Sequence, residues 1–271
     1  MKKLQLSTLA ALLLSISILE CSQFYRPSKK IITSVAALGT AGVGYYVIAN
    51  HQNNDVHQQA IATFKKLGVQ YSNEITTENH EVPSLTKKYS REIKGLIRNQ
   101  NTAIVRNGIY TAEQLKRIQE NLINSDENGL RKDIKIERIN DQKGYGAIAT
   151  VNIPRESSIG IYAGIARHSD NIEDASYAFD SFYICNKRPG DSMTSKHPII
   201  GEMQIDAAKA GNITRFINAP CDDSQGNCHA LNMMDKNDMP QVLFVANKEI
   251  KAGEELTVGY GPKYSWKNKR F

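Results

Sequence analysis

The stretch Ile205-Asp206-Ala207-Ala208-Lys209-Ala210-Gly211-Asn212-Ile213-Thr214-Arg215-Phe216-Ile217-Asn218 decides how this chain is read. It is answered downstream by Glu255-Leu256-Thr257-Val258-Gly259-Tyr260-Gly261. Together the two segments offer polar side chains for the floor of a pocket and a tyrosine beside it. Around them, from Gly129 onward, run short stretches rich in Ile, Val, Thr and Tyr, separated by Gly, Pro, Asn and Asp. They are Ile134 to Ile139, Ala147 to Val151, Ile159 to Tyr162, Phe179 to Ile184, Gln241 to Ala246 and Glu255 to Val258. Many short strands without regularly interposed long helices predict a compact, mainly β domain with short helices. Gly144-Tyr145-Gly146 precedes one such strand, and two glycines around one residue let a backbone pass close to a ligand.

Upstream, residues 50–129 read as a helical basic region. Tyr89, Ile93, Leu96 and Ile97 fall on one face at steps of three and four. Thr111-Ala112-Glu113-Gln114 is a capping box that opens a helix with Leu115, Ile118 and Leu122 as its apolar stripe. Asn128-Gly129 closes the region with a turn signal. The net charge of +6 belongs to this end of the chain, since Lys and Arg against Asp and Glu number 15 to 10 in residues 1–130 and 19 to 18 in residues 131–271. Lys87, Lys88, Arg91, Lys94, Arg98, Arg106, Lys116 and Arg117 face only Glu92 and Glu113. A solvated helix face and a docking surface for an anionic partner both fit that charge.

Residues 1–30 begin with Met1-Lys2-Lys3 and an uncharged run from Leu4 to Leu19, the layout of a secretory signal, although Glu20 stands where a cleavage site takes a small residue. A second uncharged run, residues 31–49, follows Arg26, Lys29 and Lys30. At about 1.5 Å per residue it is long enough to cross a hydrocarbon core of about 30 Å, so it is a candidate transmembrane segment. If both runs spanned, the basic loop between them would oppose the positive-inside tendency, so one insertion is expected rather than two. A Gly-rich buried segment is the other reading of residues 31–49. The four cysteines, Cys21, Cys185, Cys221 and Cys228, include no C-x-x-C pair, which argues against a structural zinc site. A Cys221–Cys228 disulfide stays open.

Four motifs in order, Lys143-Gly144-Tyr145-Gly146-Ala147, Tyr162-Ala163-Gly164, Ile205 to Asn218, and Ala252 to Gly261, make residues 130–266 resemble the SET-domain family of protein lysine methyltransferases. The resemblance implies a SET-type fold of several small sheets with a threaded, pseudoknot-like C-terminal segment, preceded by the helical region and followed by a basic tail, 267–271. It implies S-adenosyl-L-methionine on one face and a substrate lysine entering a narrow channel from the other. Such a tube suits an in-line displacement, which needs nucleophile, methyl carbon and leaving sulfur aligned. The amine must also be neutral, against a free-lysine pKa near 10.4.

Carried over residue by residue, the resemblance assigns Lys143, Gly144, Tyr145 and Gly146 to the loop under the cofactor. Asn218 is expected at the cofactor's amino-acid end with Ala219 beside it. Arg215 and Phe216 would hold the threaded segment at the cofactor site, and Trp266 would pack over the cofactor. Tyr162 would line the channel. Tyr260 is expected to position the amine and place its hydroxyl near the transferring methyl. A tyrosine in a β-rich domain is also often a plain core residue, which is the alternative for Tyr162.

The chain departs from the family's pattern at Ala219 and Pro220, where His-Ser is usual, and at Gly259, where Asp is usual. No cysteine follows Cys228, so no zinc cluster closes the pocket in the way many relatives close theirs, and no metal site is expected. The partner expected is a lysine-containing protein, a histone or another host protein. Direct nucleic-acid binding is not expected from the near-neutral C-terminal half. A membrane-anchored or secreted location follows from the N-terminus, and a bacterial protein delivered to a host cell would reconcile it with this family. The competing readings are a catalytically weak SET-fold scaffold module at a membrane and an interaction protein working through its basic helices.

Overall fold

The computed structural model describes residues 55–125, 127–141, 143–186, 200–220 and 226–259. The signal-like run, the apolar run 31–49, Tyr260, Trp266 and the basic tail all lie outside these residues. Among the described residues no helix is long and apolar enough to cross a membrane.

Residues 54–271 form one compact unit. Helix α1 covers residues 55–66, followed by β1 (Gln70–Tyr71), β2 (Ile75–Thr77), α2 (Glu81–Lys88), α3 (Ser90–Arg106) and α4 (Ala112–Ile123). The capping box forms: Gln114 N–H donates to Thr111 Oγ1 at 3.1 Å, and Thr111 N–H donates to Gln114 Oε1 at 2.6 Å. Leu115, Ile118 and Leu122 are buried, as the helical spacing requires. The expected face of α3 buries Ile93 and Ile97, while Tyr89 sits at the break between α2 and α3.

The helical region of residues 50–129 is not a separate body. Strand β1 pairs in parallel with β9 (Ala210–Gly211), and β2 pairs in parallel with β6 (Gly164–His168). Both unions place strands of this region in sheets of the C-terminal half. Alternation over two or three residues is too short to read as strand, so the pairing decides it.

Among the described residues of the C-terminal half are two further sheets and the rest of the one that β2 joins. β3 (Ile134–Asn140) and β4 (Gly144–Ala149) form a hairpin. β5 (Ser158–Ile161) pairs with β11 (Pro240–Ala246), which pairs with β10 (Cys228–Met234). β6, β7 (Ala178–Asn186) and β8 (Ile200–Asp206) join β2 in the order β2, β6, β8, β7. Strand β11 is buried at every residue. One face of its sheet receives α4, whose Leu115, Ile118 and Leu122 pack with Ile161, Leu231, Met233, Leu243 and Val245. The Asp235 carboxylate closes the β10–β11 hairpin by accepting from Asn237 and Met239 N–H at 2.7 and 2.9 Å, a local bond that favours turns.

The segment Ile205 to Asn218 runs out of β8, through β9, into a short 3-10 helix at Ile213–Phe216. Asn212, fully buried, caps that helix by accepting from Thr214 N–H at 3.0 Å. Its amide also donates to Ile161 carbonyl at 3.0 Å and to Asn73 Oδ1 at 2.7 Å, tying the helical region to the threaded part. The expected strand Glu255 to Val258 is instead a series of isolated bridges. On one side Ala149 N–H donates to Glu254 carbonyl and Leu256 N–H to Ala147 carbonyl, at 3.0 and 2.8 Å. On the other, Val258 N–H donates to Asn218 carbonyl at 2.9 Å, and Asn227 and Cys228 N–H donate to Thr257 carbonyl at 3.0 and 2.9 Å. The chain is thus threaded between β4 and the end of the Ile205 to Asn218 segment. The result is mainly β with short helices, the SET-type arrangement that the motifs imply.

Candidate active site

The threading brings the G-x-G loop and Asn218 together at one carboxylate. Lys143 Nζ lies 2.7 Å from Glu255 Oε2, with the two side chains 3% and 19% exposed. Asn218 Nδ2 donates to Glu255 Oε1 and to the Tyr145 carbonyl, each at 3.0 Å. A buried ammonium without an anion is very costly, so Glu255 and Lys143 fix each other in place. Glu255 is a residue that the sequence reading quotes without assigning. Its signal was position alone, within the run that ends at Tyr260.

The two glycines have different reasons. At Gly144 φ is +69° and open space surrounds the missing Cβ, so the constraint is the hairpin backbone. At Gly146 a Cβ would lie 2.7 Å from Ile139 Cγ1 and 2.9 Å from Glu255 Oε1, so the constraint is close approach. Tyr145 between them packs edge-on to Phe216, with centroids 6.3 Å apart.

Asn227, buried at 7% exposure, is a second residue that the sequence reading missed. Its amide donates to the Glu255 carbonyl at 2.9 Å and its oxygen accepts from Thr257 N–H at 2.8 Å. In effect the side chain supplies a strand partner to the thread. A single Asn before a strand carries no signal for that role.

Tyr162 is 5% exposed and donates to the Tyr177 carbonyl at 2.7 Å. Its ring stands 5.4 Å from Phe179 and 5.7 Å from Phe244, in an aromatic cluster. Arg215 is buried, and its Nε donates to the Ala207 carbonyl at 2.8 Å. Its guanidinium carbon lies 4.2 Å from the Tyr177 centroid and 4.8 Å from that of Phe216. Burial pulls its pKa down while the neighbouring Tyr177, Tyr162 and Asp206 push it up. Arg215 therefore clamps Ala207, near the start of the Ile205 to Asn218 segment, to its end. Ala219 is buried and contributes no polar side-chain atom. Tyr260 and Trp266, the remaining expected site residues, lie outside the described residues.

Cys228 is a free, buried thiol, and Cys221, its partner in the open disulfide question, lies outside the described residues. Burial pushes its pKa up to about 12. Among the described residues no group of three or more His, Cys, Asp or Glu is placed to hold a metal ion.

The residues at the junction suit a cationic amino-acid group. The donors of the Asn218 amide are both engaged, which leaves Oδ1 as its remaining polar atom, next to a partly exposed carboxylate and a glycine-lined strand. Acceptors of this kind pair with an ammonium, and the open space at Gly144 admits close backbone approach.

Residues 144–261 match the family model described as SET domain. The N-lysine methyltransferase KMT5A-A of Xenopus laevis is 32% identical over 160 residues, covering 56% of this chain and 42% of the relative. The histone-lysine N-methyltransferase SUV39H2 of Homo sapiens is 29% identical over 140 residues, covering 51% of this chain and 32% of the relative. The chain thus spans less than half the length of these curated relatives. Among solved structures, the ATXR5 SET domain in complex with histone H3 di-methylated on R26 superposes with a TM-score of 0.52 at 17% identity, over 79% of this chain and 92% of that one. That likeness is one of fold.

Proposed function

We propose that this chain, whose residues 144–261 match the SET-domain family model, is an S-adenosyl-L-methionine-dependent protein lysine N-methyltransferase. The observation that carries the reading is the junction at Glu255, where the G-x-G loop, Asn218 and the thread leading to Tyr260 converge. When bound, the sulfonium cofactor supplies a methyl group. Transfer to a neutral lysine amine would exchange the S–C bond for an N–C bond, with a neutral thioether leaving and the new ammonium losing its proton to water.

The chain's own residues would do the rest. Gly144 would let the backbone beside Tyr145 approach the cofactor, while Gly146 leaves room for Ile139 and Glu255. Asn218 Oδ1 would accept from its ammonium beside Glu255, with Lys143 balancing that carboxylate. Tyr162, pinned by Tyr177, would form an apolar wall that excludes water and favours the neutral amine. The Tyr260 hydroxyl would orient that amine toward the methyl.

The substrate is proposed to be a lysine-bearing protein, a histone tail or another host protein, because the relatives carry lysine methyltransferase names. The signal-like start and the apolar run 31–49 support a membrane-anchored or exported bacterial protein that meets host substrates. Retention of the full chain in the membrane fraction, and its release on deleting residues 31–49, would support the anchor. The decisive experiment is transfer of labelled methyl from S-adenosyl-L-methionine to lysine in histones and cell extracts by the full chain, beside Tyr260→Phe. A fall of about tenfold or more in the variant, equivalent to about 1.4 kcal/mol of transition-state stabilisation, is expected. Cofactor binding without transfer would favour the second reading, a SET-fold binding module, which Ala219, Pro220 and Gly259 motivate.

A further inference from the structure

Phe64 lies on α1, eighty residues before the stretch matched by the family model begins, yet it is fully buried at 0% exposure in the core that surrounds the candidate cofactor loop. Its ring meets Phe216 edge-on, with centroids 5.3 Å apart and planes at 76°. Phe216 in turn meets Tyr145 at 6.3 Å and 65°. The guanidinium carbon of Arg215 lies 6.0 Å from the Phe64 centroid, and Tyr71 closes the far edge at 5.3 Å and 84°.

The backbone fixes where this ring stands. Val69 N–H donates to the Phe64 carbonyl at 3.0 Å and Gly68 N–H to the Lys65 carbonyl at 3.2 Å, so α1 ends at once and turns into β1. Gln70 N–H then donates to the Lys209 carbonyl at 2.9 Å and Ser72 N–H to the Gly211 carbonyl at 2.8 Å. The helix is thereby stitched to the segment that leads into Phe216. Edge-to-face aromatic contacts are directional, and close-packed interiors pass a displacement on to the next ring.

We propose that Phe64 is a positioning residue for cofactor binding: through Phe216 it sets the placement of Tyr145 and so of the Gly144–Gly146 loop. The consequence for cofactor affinity rests on the methyltransferase reading above.

The test uses the full chain with Phe64→Leu, and with Leu122→Ala as control, because Leu122 is buried in the separate cluster under α4. Amide hydrogen exchange and the S-adenosyl-L-methionine dissociation constant are measured for both. Phe64→Leu is expected to speed exchange across residues 144–149 about fivefold while β10 and β11 stay protected. It should raise the dissociation constant about fivefold, with kcat at saturating cofactor held within about twofold. Leu122→Ala should lower the thermal midpoint and leave both loop exchange and cofactor affinity within about twofold. Equal effects of the two variants on the loop, or no effect of Phe64→Leu, would overturn the proposal. Phe64→Met provides a second variant should the leucine variant not fold. If the unaltered chain binds no cofactor, the methyltransferase reading fails, and the exchange at residues 144–149 still decides whether Phe64 positions the loop.

Discussion

The ammonium of Lys143 and the carboxylate of Glu255 meet at 2.7 Å across 112 residues of sequence. That contact exists because the thread through Glu255 lies beside β4, where Leu256 N–H donates to the Ala147 carbonyl at 2.8 Å. The same carboxylate takes a hydrogen bond from Asn218. One side chain therefore registers three parts of the candidate site against each other.

Glu255→Ala would remove the carboxylate that lies 2.7 Å from the Lys143 ammonium, which is 3% exposed. A cost of about 3 kcal/mol or more in unfolding free energy is expected, read as a lower urea midpoint. A Lys143→Met and Glu255→Leu double variant should recover much of that stability, because it removes both charges together. It should not recover cofactor binding.

Gly144→Ala and Gly146→Ala separate backbone strain from steric approach. At Gly144 the left-handed φ alone is violated, for about 1 kcal/mol. At Gly146 the new methyl collides with Ile139 and Glu255, which should cost about 1–3 kcal/mol and weaken cofactor binding about tenfold. Denaturant unfolding and calorimetric titration with S-adenosyl-L-methionine distinguish the two.

His57 and His229 both have pKa values held below 6.5, first by burial, then by Lys132 and Arg155 respectively, with Glu127 opposing at His57. The unfolded chain therefore binds more protons than the folded one just below pH 6.5. Their contribution to stability is present above about pH 6.5 and is lost as pH falls through the lowered folded values. The thermal midpoint should drop on acidification from pH 7 to pH 5, and a His57→Gln and His229→Gln double variant should show a flatter slope over that window. An unchanged slope would remove these two residues from the acid response.

Cys228, buried and with its pKa raised to about 12, is expected to resist alkylation in the native protein at pH 8. Mass-spectrometric mapping after iodoacetamide treatment, with and without denaturant, checks this. Modification at Cys228 only in denaturant is the expected result.

The mainly β character was legible because β3 alternates isoleucine with polar residues and β5, β7 and β11 are rich in β-branched or aromatic residues, and their edges fall within a few residues of those expected. Strands β6, β8 and β10 were not among the expected runs. Gly164–His168 carries Arg167 and His168, and an arginine in a strand pattern looks exposed until Asp206 and Glu78 are found beside it, at 3.3 and 2.8 Å. Cys228–Met234 has no clean alternation, because its residues are covered by α3 and α4 as well as by β11. Two short strands, β1 and β2, have meaning only as partners of β9 and β6.

By itself the sequence determined the order of the motifs, the capped helix at Thr111, the glycines around Tyr145 and the candidate chemistry, since each is written in residue types at short spacing. Only the tertiary structure decided that Glu255 joins Lys143 to Asn218, that Asn227 supplies a strand edge to the thread, and that Phe64 of α1 abuts Phe216. Those contacts join segments far apart in the chain, and a local pattern holds no record of which distant group will neutralise a charge or fill a space.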